Sequence, residues 1–161
     1  MKEIVKTVPS RDGRQIKLHG PEAFEGMRKA GRLAAETFDM ITPHVKPGVT
    51  TERLDQLCHE FIVGHGAIAA PLNYRGFPKS ICTSINHVVC HGIPSAKPLR
   101  EGDIVNIDVT YIVDGWYGDS SRMYAVGAVK RAAERLMEVT YQALLHGIDV
   151  VKAGATTGDI G

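Results

Sequence analysis

The sequence predicts an α+β fold, helices packed on a mostly antiparallel sheet. Three observations carry this. Apolar residues recur at close to a 3.6-residue period in two stretches between residues 21 and 64. From 67 to 127 the pattern changes to short runs rich in β-branched residues, and a helical period returns at 131–146. Helices followed by a block of strands suit an α+β layer arrangement rather than alternating βαβ units.

Each element has its own signal. Residues 1–20 alternate apolar and charged residues around Arg11-Asp12-Gly13-Arg14, a turn or short hairpin, and form an N-terminal extension to the domain at 21–161. Pro21 suits the first position of a helix, whose apolar stripe runs Phe24, Met27, Leu33 (or Ala34), Phe38 and Ile41. Pro43 ends it and Pro47-Gly48 turns the chain. Thr50 or Thr51 caps a second helix that buries Leu54, Leu57, Phe61 and Ile62 and stops at Gly64-His65-Gly66. Strands are expected at Ala67–Ala70, Ser80–Ile85 and Val88–His91, then in two longer runs. A third helix, Arg131–His146, puts Leu136, Val139 and Leu144 on one side, with Gly147 as its stop.

Hydrophobic residues at 43% and charged residues at 23% are ordinary for a globular domain. The net charge of +1, without a charge block, gives no sign of a nucleic-acid or membrane-surface partner. The N-terminus has no apolar leader and no stretch is long enough to span a membrane. Cys58, Cys82 and Cys90 are an odd set without CxxC spacing, so they read as reduced thiols of a cytoplasmic protein.

The stretch GDIVNIDVTYIVDGWYGDSSRMYAVG is the richest. Asp114-Gly115 between two β-type runs is a hairpin signal, because both turn residues need positive φ. With those two in the loop, Asp108 faces Ser121, and Asp119, two residues away, shares its face. The two aspartates are then diagonal neighbours, roughly 7 Å apart at the backbone. Val105, Ile107, Val109 and Tyr111 point to one side; Asn106, Asp108 and Thr110 point to the other. Alternation by itself is the ordinary mark of a face that meets water. Against that, aspartate is depleted in strand interiors and two converging carboxylates repel unless a positive charge lies between them. A divalent cation is the simplest candidate, although two carboxylates alone do not complete its coordination.

His87-Val88-Val89-Cys90-His91 contains H-x-x-x-H, but its valines and the Gly92-Ile93-Pro94 exit indicate a strand. Neighbouring strand residues point to opposite faces, which disfavours a Cys90–His91 thiol–imidazole pair. His59-Glu60 opens an H-E motif, yet Val63 stands where H-E-x-x-H needs its second histidine.

One further pattern spans the chain. Val45-Lys46-Pro47-Gly48-Val49-Thr50-Thr51 matches Val151-Lys152-Ala153-Gly154-Ala155-Thr156-Thr157 at five of seven positions, 106 residues apart. That period is too long for a solenoid and suggests two equivalent halves.

The segments VKPGVTTERLD, YRGFPKSICTSIN, VVCHGIP and the hairpin stretch together resemble bacterial methionine aminopeptidases of type I, from about residue 20 onward. The resemblance implies the two-half pita-bread fold, with a first half at about 21–127 and a second that begins at about 129. It implies removal of the initiator methionine from nascent proteins whose second residue is small, in the cytoplasm and close to the ribosome, by a protein monomeric at full length. Two divalent metal ions (cobalt, manganese, iron, zinc or nickel) would activate the attacking water. Asp108 and Asp119 match the family's metal-binding aspartates, Asp119 as the bridging one. His91 matches the histidine that contacts substrate and stabilises the transition state. Tyr74, Phe77 and Cys82 match the methionine pocket, whose rim differs at Pro71, where many members carry cysteine. The family's other ligands, a histidine and two glutamates, belong to the second half. The 161 residues are therefore expected to be the first part of a longer enzyme, inactive alone, with one acidic sheet face uncovered. Competing readings are a non-catalytic pita-bread binding module and a prolidase or creatinase relative. Retention of both aspartates with His91 disfavours the first, and the CHGIP and Tyr74–Phe77 segments disfavour the second.

Overall fold

The computed structural model describes residues 6–161; the first five residues of the expected N-terminal extension lie outside them. A small hairpin, β1 (Thr7–Pro9) with β2 (Gln15–Lys17), precedes helix α1 (Pro21–Ile41). Helix α2 (Thr51–Gly64) follows, then β3 (Ile68–Ala69), β4 (Cys82–Ile85), β5 (Ile104–Val113) and β6 (Trp116–Ala125). Helices α3 (Arg131–Asp149) and α4 (Thr157–Ile160) close the order.

β5 is the axis of the sheet, and all its pairings are antiparallel. β6 runs along one edge of β5 at full length, while β4 and β3 share the other edge end to end, at residues 105–108 and 111–112. The period-2 pattern separates the faces as the sequence indicates. Val105, Ile107, Val109 and Tyr111 are fully buried, against Ala34, Phe38 and Ile41 of α1 and Leu54, Cys58 and Ile62 of α2. At about 25 cal/mol per Å² of apolar surface removed from water, this shared core of two helices and one sheet face holds the domain together.

Helix α1 approaches β6 through small residues. A Cβ on Gly118 would overlap the carbonyl of Ala30 and come within 2.9 Å of the Gly31 nitrogen, and a Cβ on Gly26 would overlap the indole ring of Trp116. The sheet-facing positions at the start of α1 are thus Ala23 and Ala30, whereas Phe24 and Met27, expected in the stripe, are about half exposed. Two other expectations are corrected. Residues 88–91 are not a strand: Asn86 and His91 are left-handed, at φ 53° and 54°, and the segment turns across the end of β4. Helix α3 runs through Gly147 to Asp149, since that glycine does not take the left-handed backbone that would stop it. No residue of α3 is buried; Leu136, Val139, Leu144 and Ile148 are all more than half exposed.

The two V-K-x-G-x-T-T loops share their geometry. Gly48 and Gly154 sit at φ 87° and 93°. Val45 N–H bonds Thr42 O as Val151 N–H bonds Ile148 O; Val49 bonds Lys46 as Ala155 bonds Lys152; Arg53 bonds Thr50 as Asp159 bonds Thr156. Thr50 caps α2, its hydroxyl accepting from Arg53 N–H at 3.1 Å, and Thr156 caps α4 in a capping box with Asp159.

Candidate active site

The hairpin builds the acidic pair. Asp114 and Gly115 occupy the turn at φ 51° and 84°, the left-handed pair that matches strand twist. The register then sets Asp108 opposite Ser121 and Thr110 opposite Asp119, so both carboxylates stand on the face away from the helices. β4 adds to the same face from the other side, with Cys82 opposite Asp108. Burial, and next the charge of Asp119, hold the Asp108 carboxyl above its usual range, while His91 pulls it down. The strands thus impose a like-charge pair that solvent only partly relieves.

A cleft of about 770 Å³ opens over this face. Asp108, Asp119, His91, Tyr74, Phe77, Cys82 and Pro71 all line it, so the site residues read from the sequence are brought together. Burial, with the nearby Asp108 charge, pushes the Cys82 thiol up to about 11, so it remains neutral and acts as a soft apolar wall.

His91 is set by its neighbour Gly92, which the sequence marks only as the exit from an expected strand. Gly92 lies flat on β4: Thr83 N–H bonds Gly92 O at 2.8 Å, and Gly92 N–H donates to the buried Ser84 hydroxyl at 3.1 Å. Further on, Ser95 N–H donates to Thr51 Oγ1 at 2.9 Å and Ser95 O accepts from Glu52 N–H at 3.0 Å, tying the segment to the start of α2. His91 therefore stands immediately before a segment anchored at two points, Gly92 on β4 and Ser95 on α2. Asp55 was also missed. Its buried carboxylate accepts from Ser80 N–H at 2.8 Å and Ile81 N–H at 3.1 Å, fixing the chain that enters β4 and carries Cys82. The available signal was its place within the apolar stripe Leu54, Cys58, Ile62, where an acid must find buried donors.

Oxygen donors of this kind suit hard divalent cations, and a cation between the two aspartates would offset both the burial and, next, the Asp119 charge that raise Asp108. Among the described residues, no group of three or more His, Cys, Asp or Glu side chains is gathered to hold a metal ion. Two carboxylates alone do not complete a cation's coordination.

An antiparallel sheet with helices on one face and a cleft holding two aspartates on the other is the arrangement of the pita-bread fold. The chain belongs to metallopeptidase family M24, whose model matches residues 25–161. It is 67% identical to the methionine aminopeptidase of Rickettsia prowazekii over 146 residues, 91% of this chain and 56% of that protein. It is similar to the crystal structure of methionine aminopeptidase from the same organism, with a TM-score of 0.88 over 90% of this chain and 58% of that one. The fold is shared with an Xaa-Pro dipeptidase from Bacillus anthracis at 22% identity and a TM-score of 0.78, over 89% of this chain and 39% of that one. The chain thus spans a little over half the length of the curated relative it matches. No helix among the described residues is long and apolar enough to cross a membrane.

Proposed function

We propose that this chain contributes to removal of N-terminal methionine from proteins and peptides whose second residue is small, in the cytoplasm where nascent chains emerge at the ribosome. The observation that carries the reading is the convergence of Asp108 and Asp119 on one sheet face inside a cleft that also holds His91 and the Tyr74–Phe77–Cys82 wall. Similarity to named methionine aminopeptidases supports it. Residues 21–161 belong to a two-half domain, the first half at about 21–127 and the second beginning at about 129; the hydrogen bonds repeated 106 residues apart, as from Val45 to Thr42 and from Val151 to Ile148, support that division.

Asp108 and Asp119 would help to hold two divalent ions, as part of a larger ligand set. When bound, such ions supply Lewis-acid polarisation of a carbonyl and a lowered pKa for water, and manganese, iron, cobalt, nickel or zinc is compatible with the donors. The chain's own residues do the rest. The aromatic rings of Tyr74 and Phe77 and the neutral Cys82 thiol receive a thioether side chain through dispersion and sulfur–aromatic contact. His91, fixed by the Gly92 and Ser95 anchors, contacts the substrate backbone and stabilises charge that develops on it.

The test is methionine release from Met-Gly-Phe by the protein expressed from its complete reading frame with manganese or cobalt, Met-Leu-Phe serving as the poor substrate. Asp108→Asn and Asp119→Asn are each expected to lower release on the order of a hundredfold or more through lost metal affinity. Full activity in either variant overturns the proposal.

A further inference from the structure

The cleft carries one positive charge that neither metal nor methionine binding uses. Arg75 is the only lysine or arginine among the described residues that line it, in company with Asp108 and Asp119. The described residues that form ion pairs with acids do not include Arg75. Its guanidinium instead rests over the ring of its neighbour Tyr74, 5.4 Å from the ring centroid.

The backbone keeps it there. Asn73, Arg75 and Gly76 are all left-handed, at φ 66°, 50° and 86°. Asn73 N–H bonds Phe77 O at 2.8 Å, Tyr74 N–H bonds Pro71 O at 2.9 Å and Phe77 N–H bonds Tyr74 O at 3.0 Å, which closes the turn. An arginine in the left-handed region is unfavourable, and such conformations persist where the surrounding structure over-determines them. Here the turn sets Tyr74 and Phe77 as cleft walls and leaves Arg75 exposed in the lining, over the Tyr74 ring. Stacking on the ring restricts the long side chain before any ligand arrives, so less freedom is lost when it binds a planar anion.

We infer that Arg75 is a specificity-determining residue that binds a carboxylate on the peptide downstream of the N-terminal methionine, favouring substrates with an acidic residue shortly after the small second one. The inference rests on the aminopeptidase reading above and adds to it the class of downstream sequence. A guanidinium fork offers a carboxylate two parallel N–H donors. At an exposed rim the preference is modest and salt-sensitive, since such pairs are screened within a Debye length of about 10 Å at 0.1 M ionic strength.

The experiment uses Met-Gly-Xaa-Phe peptides with amidated C-termini, Xaa being Glu, Gln or Lys, and the metal-loaded protein expressed from its complete reading frame. The parent is expected to favour Glu over Gln about threefold to fivefold in kcat/KM, chiefly through KM, and to disfavour Lys. The Glu preference is expected to shrink as salt is raised from about 0.05 M to about 0.5 M. Arg75→Gln brings the Glu/Gln ratio to about one, Arg75→Lys keeps part of it because a point charge remains, and Arg75→Glu inverts it toward Lys. A Glu/Gln ratio that is the same in the parent and Arg75→Gln overturns the inference while leaving the aminopeptidase reading intact. If the parent cleaves none of the three peptides, both fall.

Discussion

Alanine at position 92 would test how rigidly the site is seated. A Cβ there would stand 2.8 Å from the carbonyl carbon of Thr83 and 3.0 Å from Ser84 Cα, and would overlap the Thr83 oxygen. Carbon–carbon contacts settle at about 3.5 Å or more, so the segment must retreat from β4 by roughly 0.7 Å to clear the carbon and by about 1 Å to clear the oxygen. That movement carries the Thr83–Gly92 bond from 2.8 Å past hydrogen-bonding range and removes the 3.1 Å bond from Gly92 N–H to Ser84. Two such bonds contribute about 2 kcal/mol, and the entropy lost to the unfolded chain on gaining a Cβ returns about 0.4–1 kcal/mol, leaving a net loss of about 1–1.6 kcal/mol. With a urea dependence of about 2 kcal/mol per M, the unfolding midpoint falls by roughly 0.5–0.8 M. His91 moves with its neighbour, and a displacement of about 1 Å in a positioned group costs on the order of a hundredfold in rate. Urea unfolding of the 161-residue chain, amide exchange at Thr83 and methionine release by the protein from its complete reading frame read the three effects. An unchanged midpoint together with unchanged protection at Thr83 would show that β4 does not hold this segment.

Gly31→Ala supplies the contrast: nothing lies within 4 Å of its added Cβ in the middle of α1, so urea unfolding should show a gain of about 0.5–1 kcal/mol. Asp108→Asn separates stability from binding. The Asp108 carboxyl is raised in the folded chain, so its contribution favours folding in acid and is lost as pH rises through the folded value. Without metal, the asparagine variant should therefore outlast the parent in urea at neutral pH, converge with it in acid below the ordinary 3.8, and lose any stabilisation by manganese. Alkylation followed by mass spectrometry should modify the exposed Cys90 first, with Cys82 and Cys58, buried and pushed up to about 11 and about 12, left intact in the folded chain. Thr50→Ala should cost about 1 kcal/mol in chemical denaturation through loss of the cap on α2.

The hairpin was legible because two local signals agree on it. A turn that admits only left-handed residues fixes the register, and the period-2 alternation fixes the faces. Other segments were decided by packing that composition does not encode. Phe24 and Met27 outrank Ala23 and Gly26 on any hydrophobic scale, yet the indole of Trp116 leaves room only for small residues at that end of α1. Val88 and Val89 favour extended backbone, but the left-handed Asn86 and His91 bend the segment across β4, where the pairing with Thr83 passes through Gly92. Tyr74, Phe77 and Cys82 come from a turn and a strand far from the aspartates in sequence, and only the resemblance grouped them. Arg75 was passed over because a charged residue beside glycine reads as an ordinary solvated turn.

The acidic face is made by a two-residue turn, with Asp108 and Asp119 only eleven positions apart. Ribbons of this sort close in microseconds once their residues are free to move. Most of the cleft's wall, by contrast, needs β4 and the turn at Tyr74 to dock on a strand met more than twenty residues later. Charge convergence thus belongs to the fast, local part of folding, and recognition of a side chain to the slow, long-range part. A newly made molecule would bring its two carboxylates together before the cleft beside them has its walls.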